Sequence, residues 1–361
     1  MLGTINGSKF DIAIPHRNWQ RALMDAFAIL SCASPGDVVC ITGPSRAGKS
    51  LLIERLAELL FGSIDFEKTG KMPAIVADAE NTGAHGAFST KSFILQMLRE
   101  AKHPMYSVNG FDIDDMLTLQ KIDKTTETTL RFALESALKS RGVKIIFIDE
   151  AQHVKYASKD AQAAFAVMDS WKCLAKKTGT VMVFVGAYPL LDVIANSPHL
   201  LGRKHQVHLP RYRATEEDLH SFAALLEEYS VLLNLDDSIG SLVDEAELMF
   251  FGSLGCIGLL KNWLKRADAQ ATIKNIKISR KLLLETRLSD SDLEEILTEI
   301  NVGEARLAAR SNEFIPPSKG GVTKITKSQK KSTQGESSSA PAKKSKPFQK
   351  KPVRRKQGNR V

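Results

Sequence analysis

The chain is short of cysteine, of aromatic residues and of long apolar runs, and each shortage narrows what it can be. Its four cysteines (Cys32, Cys40, Cys173 and Cys256) lie far apart and form no CxxC pair. That spacing argues against a disulfide framework or a thiolate metal site, and buried thiols in a reducing cytosol are expected. Aromatic residues make up 7% of the sequence, so the three tryptophans stand out. Trp19, Trp171 and Trp263 fall in apolar helical patterns and read as core or packing residues. No stretch approaches the roughly 18 apolar residues of a membrane span, and no basic segment followed by an apolar run marks the N-terminus for export. Eight histidines are scattered without ligand spacing, and His153 reads as a structural or coupling residue. Hydrophobic residues still make up 43% of the 361, enough for a sizeable core in one large or two moderate domains of roughly 150 residues each.

Charge is not evenly spread. Residues 318–361 hold 11 Lys and 3 Arg against the single Glu336, which gives this tail +13 and leaves −4 on residues 1–317. The tail is rich in Lys, Ser, Gln, Gly and Pro, with Phe348 its one aromatic, and such a composition cannot offset the entropy of ordering. A disordered polybasic segment of this kind attracts phosphate backbones without reading their sequence.

Ahead of the tail, short apolar runs alternate with amphipathic stretches. Strands are predicted at Val38–Thr42, Pro73–Ala79, Lys144–Asp149, Thr180–Ala187 and His205–Leu209, all apolar on successive positions as strands buried on both faces should be. Helices are predicted between them, at Lys49–Leu60, Thr90–Ala101, Thr126–Ser140 and Asp160–Lys177. Alternation of this kind indicates a parallel sheet with right-handed crossovers. After Pro210 only helices are predicted: Thr215–Tyr229, opening with T-E-E-D close to a capping box, then Ser238–Phe250, Gly255–Ala271, Ser279–Arg287 and Ser289–Ile300. The expected organisation is an N-terminal segment (1–36), an α/β core with a parallel sheet flanked by helices (37–213), a small helical lid (214–305) and the disordered basic tail (306–361).

Two motifs carry chemistry. GPSRAGKS, from Gly43 through Pro44, Ser45, Arg46, Ala47 and Gly48 to Lys49 and Ser50, matches GxxxxGK[ST] between a predicted strand and a predicted helix. Its glycines let backbone N–H groups curl around a phosphate at a helix N-terminus. Lys49 would neutralise β- and γ-phosphate oxygens, and the Ser50 hydroxyl would ligate Mg²⁺. KIIFIDEAQH (Lys144–His153) ends a buried strand in Asp149 and Glu150, which suits Asp149 to holding Mg²⁺ through water and Glu150 to activating a water as general base. The gap of about 100 residues between the motifs leaves room for a further strand and argues against a small-molecule kinase or a Ras-like GTPase. No NKxD-type tetrapeptide selects guanine, so the expected nucleotide is ATP. A third element is Arg203, ahead of the fifth strand, a position from which an arginine can reach a neighbouring subunit's γ-phosphate; Arg211 and Arg213 are alternatives for that role.

Together with VGAYPLL, LLGRKHQVHLPRY and GSLGCIGLLKNWLKRA, these motifs resemble the TniB/TnsC family over roughly residues 15–300. Its members are AAA+ ATPases of heteromeric bacterial transposons, CRISPR-associated ones included, with phage MuB a more distant relative. The resemblance implies a bacterial cytoplasmic, nucleoid-associated homo-oligomer, a ring or helical filament, that assembles on double-stranded DNA when ATP-bound. It would link a target-selection protein (TniQ/TnsD-like) to a transposase (TnsB/TniA-like) and be reset by hydrolysis, with Arg203 acting in trans. The family's DNA contacts lie on loops, here those holding Lys91, Lys102, Lys121, Lys124, Lys155 and Lys159. Two positions depart from the AAA+ pattern. The polar residue that often ends the fourth strand is replaced by Ala187 or Tyr188, and the arginine of the lid's GxxR stretch by Gly258, with Lys261 and Lys265 one and two turns further on. Both departures suggest slow turnover. The competing functional readings are a replication-initiator or clamp-loader type of ATPase, and an ATP-gated scaffold without significant hydrolysis.

Overall fold

A computed structural model describes residues 10, 14–83, 86–107, 124–157, 161–195 and 204–308. Arg203, Lys121, Lys159 and the basic tail lie outside the described residues. The chain divides into two units, Met1–Asn312 and Glu313–Val361, and every element below belongs to the first.

The N-terminal segment, where Trp19 was read in a helical pattern but no helix was bounded, contains one. Helix α1 (Arg17–Cys32) buries Ala22, Leu23, Ala26 and Leu30, whose recurrence every three or four positions makes a single apolar face. The side chain of His16 caps it, accepting from the Trp19 N–H at 3.4 Å. Strand β1 (Val38–Thr42) follows, then α2 (Lys49–Phe61), a single turn α3 (Phe66–Thr69), β2 (Ala74–Asp78), α4 (Thr90–Glu100), α5 (Glu127–Arg141) and β3 (Ile145–Asp149). A 3₁₀ segment (Ala151–Ala157) leads to α6 (Ala161–Thr178), β4 (Val181–Gly186), the short α7 (Leu190–Ala195) and β5 (Lys204–His208).

All strands pair in parallel in the order β2-β3-β4-β1-β5. The three central strands are buried at every position. The two edge strands are not, and Val76 of β2 is 37% exposed, which corrects the expectation of burial on both faces for all five. Helices α4, α5 and α6 contribute to a core on one face, around Phe184, Met97, Leu134 and Trp171. Helices α1 and α2 cover the other, around Phe147, Ile41, Leu52 and Leu56. Residues such as Phe147 and Phe184, fully buried on opposite faces, each contribute about 1.5–3 kcal/mol by leaving water.

The helical region comprises α8 (Glu216–Leu232), α9 (Ala246–Ser253), α10 (Ile257–Lys274), α11 (Arg280–Thr286) and α12 (Asp290–Ala308). Thr215 caps α8 by accepting from the Asp218 N–H. The helix expected at Ser238–Phe250 forms only from Ala246, because side chains claim the preceding backbone. Asp236 accepts from the Ser238 N–H at 3.0 Å and Asp244 from the Ser241 N–H at 2.9 Å, the local bonding that competes with helix formation. Trp263 lies in this region's own core, its indole N–H donating to the Leu283 carbonyl at 2.9 Å. Trp171 and Trp263 are thus the packing residues expected. The cysteines divide: Cys40 and Cys256 are buried as expected, whereas Cys32 and Cys173 are exposed.

Helix α12 runs past the expected end at Ile300 and returns across the strand ends. A Cβ on Gly303 would come within 2.1 Å of the Tyr188 ring, so the glycine lets this helix lie against Tyr188, two residues past β4. Arg211 fixes it, donating from Nε to Glu304 at 3.1 Å and from a terminal nitrogen to the Leu254 carbonyl at 3.3 Å. Arg213 lies 3.6 Å from the same carboxylate, and Arg306 pairs with Asp192 at 2.5 Å.

Candidate nucleotide site

With β4 inserted between β1 and β3, the C-terminal ends of β1 and β3 flank a crevice, the place where open parallel sheets receive ligands. The loop Gly43–Ser50 leaves β1 there and enters α2. Gly43 is required because a Cβ would sit 2.5 Å from the Leu209 carbonyl oxygen. Gly48 adopts φ +87° at the helix N-cap, a left-handed backbone that favours glycine, and Arg46 also has positive φ. The loop's shape is therefore held by residue choice and by contact with the end of β5.

Lys49 is buried beneath the loop, its Nζ donating to the Pro44 carbonyl at 2.9 Å and the Gly43 carbonyl at 3.4 Å. Burial lowers its pKa, and the carboxylates of Glu150 and Asp149 oppose that shift. Glu299 of α12 adds a smaller contribution of the same sign, so the returning helix brings negative charge near this lysine. Ser50 donates its hydroxyl to Asp149 Oδ2 at 2.6 Å, joining the two motifs across the width of β4. A hydroxyl and a carboxylate meeting beside a buried ammonium and a curled loop suit an Mg²⁺–polyphosphate. Among the described residues no group of three or more His, Cys, Asp or Glu is arranged for a metal ion, so such an ion would take most of its ligands from phosphate and water. On the far side, Asp78 ends β2 in register with Asp149. Burial first, then the Asp149 charge, raises its pKa.

Glu150 has φ +50°, an uncommon conformation for a residue with a side chain. Its backbone N–H donates to Asp149 Oδ1 at 2.8 Å, which helps hold that geometry. Gln152, to which the motif reading assigned no role, donates its amide to the Glu150 carboxylate and accepts from the Ala187 N–H at 3.2 Å. His153 is tied to the end of β2 by a 3.1 Å bond between Nδ1 and the Ala79 carbonyl, the structural role expected of it.

A cavity of about 370 Å³ opens beside the loop, lined by Ile14, His16 and Trp19 from the N-terminal segment, by Arg46 to Gly48, and by Ile257 and Lys261 of α10. Its size is in the range of small-molecule sites. The Trp19 indole N–H donates to the Gly48 carbonyl at 3.3 Å, so this tryptophan shapes the cavity as well as packing on the sheet. Periodicity showed only its apolar helical position; nothing in the sequence placed it beside a loop 29 residues away. Burial pushes the pKa of His16 down to about 4, keeping the imidazole neutral against the Tyr212 hydroxyl at 3.3 Å.

The departures noted in the sequence gain physical reasons. At Gly258 a Cβ would lie 1.6 Å from the Arg46 carbonyl oxygen, so the first turn of α10 rests on the loop and has no room for an arginine. Lys261 lines the cavity beside the loop, and Lys265 lines a separate hollow with Arg46 and Arg266. Neither Ala187 nor Tyr188 offers a polar side chain to the crevice. Tyr188 is fully buried, its hydroxyl bonded to His208 Nε2 at 3.0 Å. Arg211 and Arg213, the alternatives for a trans arginine, are both engaged within their own chain by Glu304.

The lysine set is divided by the fold. Lys91 opens α4, Lys124 precedes α5 and Lys155 lies in the 3₁₀ segment, and all three belong to the edge where the strands end. A 2.9 Å bond from Thr90 to Glu127 joins the starts of α4 and α5 there. Lys102 follows the C-terminus of α4 at the opposite edge, over the Phe66 ring and 3.5 Å from Glu67. It is not brought together with the others.

Residues 33–194 match the family model described as AAA domain. No curated protein matches the sequence. Among solved structures, the ORC2 protein of Aeropyrum pernix in its ADP form is similar with a TM-score of 0.50 at 16% identity, covering 76% of this chain and 70% of its own. A Walker-type ATPase of Pyrococcus abyssi gives 0.49 at 16% identity, with 84% and 80% covered. Domain III of the replication initiation protein DnaA from Thermotoga maritima gives 0.42 at 12% identity, with 77% and 94% covered. At such identities the likeness concerns the fold, and the fold is that of an AAA+ P-loop NTPase. Among the described residues no helix is long and apolar enough to cross a membrane.

Proposed function

We propose that this chain is an Mg²⁺-dependent ATPase whose slow hydrolysis times its assembly on duplex DNA, and that the assembly regulates transposition. The observation that carries the hydrolytic reading is the bond between Ser50 and Asp149 beside buried Lys49, with Glu150 next in the chain. Bound Mg²⁺–ATP supplies an electrophilic γ-phosphorus with its charge partly neutralised. Lys49 would neutralise the phosphate oxygens, Ser50 and Asp149 would hold the metal, and Glu150 would take the proton from the attacking water. The walls at Trp19 and Ile257 receive the adenine and exclude water from it.

The DNA reading draws on Lys91, Lys124 and Lys155 at the strand-end edge, on the +13 tail, and on the resemblance of the motifs to transposition ATPases. The resemblance also supplies the transposase and target-selection partners and a neighbouring subunit's Arg203 for the γ-phosphate. A side chain from another copy fits a site where Arg211 and Arg213 are already paired within the chain. Lack of a polar side chain at Ala187 and the absence of an arginine at 258 favour turnover below about 10 s⁻¹.

Glu150→Gln tests the switch. Turnover is expected to fall by about 10²–10⁴-fold, as for loss of a general base, while ATP-loaded complexes on duplex DNA become long-lived. Electron microscopy with duplex DNA, with and without ATP, reads the assembly directly. Free monomers in both samples would sink the assembly model, and an unchanged complex lifetime in the variant would leave a scaffold that uses ATP without hydrolysis.

A further inference from the structure

In the crevice, β4 ends in Gly186, followed by Ala187, and so brings no polar side chain to the carboxylate after the neighbouring strand. Gln152 reaches back from the 3₁₀ segment into that gap. Its carbonyl oxygen accepts from the Ala187 N–H at 3.2 Å, and its amide nitrogen donates to a carboxylate oxygen of Glu150. The space it uses exists because residue 186 is glycine, where a Cβ would come within 2.2 Å of the Gln152 oxygen. The carboxylate it holds sits on a backbone at φ +50°, a conformation that costs of order 1–3 kcal/mol and persists only where the surroundings determine it.

From this arrangement we propose that Gln152 is a positioning residue for Glu150, carrying the geometry of the β4 terminus to the general base. The inference rests on the hydrolytic reading given above. In the reaction a water oxygen bonds to the γ-phosphorus as the bond to the ADP oxygen breaks, and the water's proton passes to Glu150. Gln152 touches none of these atoms. It fixes the direction of the carboxylate through one donated bond and anchors itself through one accepted bond. Displacement of a reacting group by about 1 Å can cost roughly 10²-fold in rate, so a single amide can set turnover without contributing to affinity.

The test measures steady-state hydrolysis and equilibrium ATP binding on the full chain carrying Gln152→Ala, Gln152→Glu, Gly186→Ala, the Gln152→Ala/Gly186→Ala pair and the Gln152→Ala/Glu150→Gln pair. Gln152→Ala should lower kcat by about 10- to 100-fold and leave the ATP Kd within about twofold. Gln152→Glu can still accept from Ala187 but cannot donate to Glu150, so it should be as slow as Gln152→Ala. If Gln152 only braced β4, this variant would restore activity and overturn the proposal. Gly186→Ala should displace Gln152 and add nothing to the Gln152→Ala loss, and Gln152→Ala should not slow Glu150→Gln further. Should Gly186→Ala fail to fold, the Gln152 variants decide alone. A Gln152→Ala kcat that is unchanged or raised, in a parent that hydrolyses ATP, overturns this inference only. A parent with no turnover in the presence of DNA and Mg²⁺ overturns the hydrolytic reading and this inference with it.

Discussion

At the strand ends the candidate site is built of charge: Lys49, Ser50, Asp149 and Glu150 converge within bonding distance of one another or of the loop between them. Beside the same loop, the N-terminal segment and the helical region build a wall from Ile14, Trp19 and Ile257. The first region works through functional groups, the second through shape, and the glycine at 258 belongs to the second because any side chain there meets the Arg46 carbonyl. On the proposed reading, contact with phosphate and fit to the rest of the nucleotide fall to different parts of the chain. The strand ends are fixed by sheet register, whereas the wall depends on how α1, α8 and α10 close over the loop.

That division can be broken or sharpened by experiment. The largest effect is expected for Lys49→Ala, which removes a buried cation from phosphate and leaves Asp149 and Glu150 without it. Nucleotide affinity should fall by about 10²–10³-fold in titration calorimetry, in line with loss of a buried charged partner. A loss of under threefold would mean that the loop does not bind phosphate through this residue. Gly258→Ala tests the shape side. Its Cβ cannot fit against Arg46, and overpacking of about 1–3 kcal/mol should weaken ATP by roughly 5- to 100-fold while leaving kcat of the bound enzyme near the parent value. A kcat loss without an affinity loss would merge the two regions into one. Trp19→Ala should cost about tenfold for ATP, within the range of aromatic–base stacking, and nothing for inorganic tripolyphosphate. Equal losses for both ligands would move Trp19 to the phosphate side.

The smallest effect concerns pH. Burial holds His16 and His208 at about 4 in the folded chain, below the ordinary value of 6.5, so the unfolded chain binds protons more readily. Their neutral forms are fully accommodated above pH 6.5, and stability is lost as pH falls from there through 4. With both side chains partly solvated, roughly 1–2 kcal/mol per histidine is expected. His208→Gln, which can keep a bond to Tyr188, should flatten that acid limb in thermal unfolding, and an unaltered limb would assign it to other groups.

How much could be read without the fold differs between the same two regions. The sheet was legible because central strands are apolar runs ended by motif residues, and five strands were predicted within about a residue of where they lie. Around Trp19 only the helical pattern was legible and not the bounds of α1, because the segment opens with His16, a side-chain cap outside the usual Ser, Thr, Asp and Asn, and carries no acidic residue in its first turn. The helix at 238–245 was over-read, since Ser and Asp side chains there bond the backbone that periodicity assigned to a helix. Gln152 stood in plain view within DEAQH, but its partner, the backbone N–H of Ala187, carries no residue identity and leaves no mark in a sequence. Gly258 read as a missing arginine, and the Arg46 carbonyl turns it into a contact that only glycine permits.

The sequence by itself determined the phosphate loop, the Asp149–Glu150 pair, the parallel sheet and the contrast between an acidic body and a basic tail. Each of these is written in residues adjacent along the chain, where composition and spacing act directly. Tertiary structure alone decided that Ser50 meets Asp149, that Lys102 stands apart from Lys91, Lys124 and Lys155, that Arg211 is bound to Glu304, and that Trp19 walls the cavity. Those pairings join residues tens of positions apart, and the partner of Trp19 is a backbone carbonyl. Only the packing of the sheet, α1 and the helical region brings them within reach.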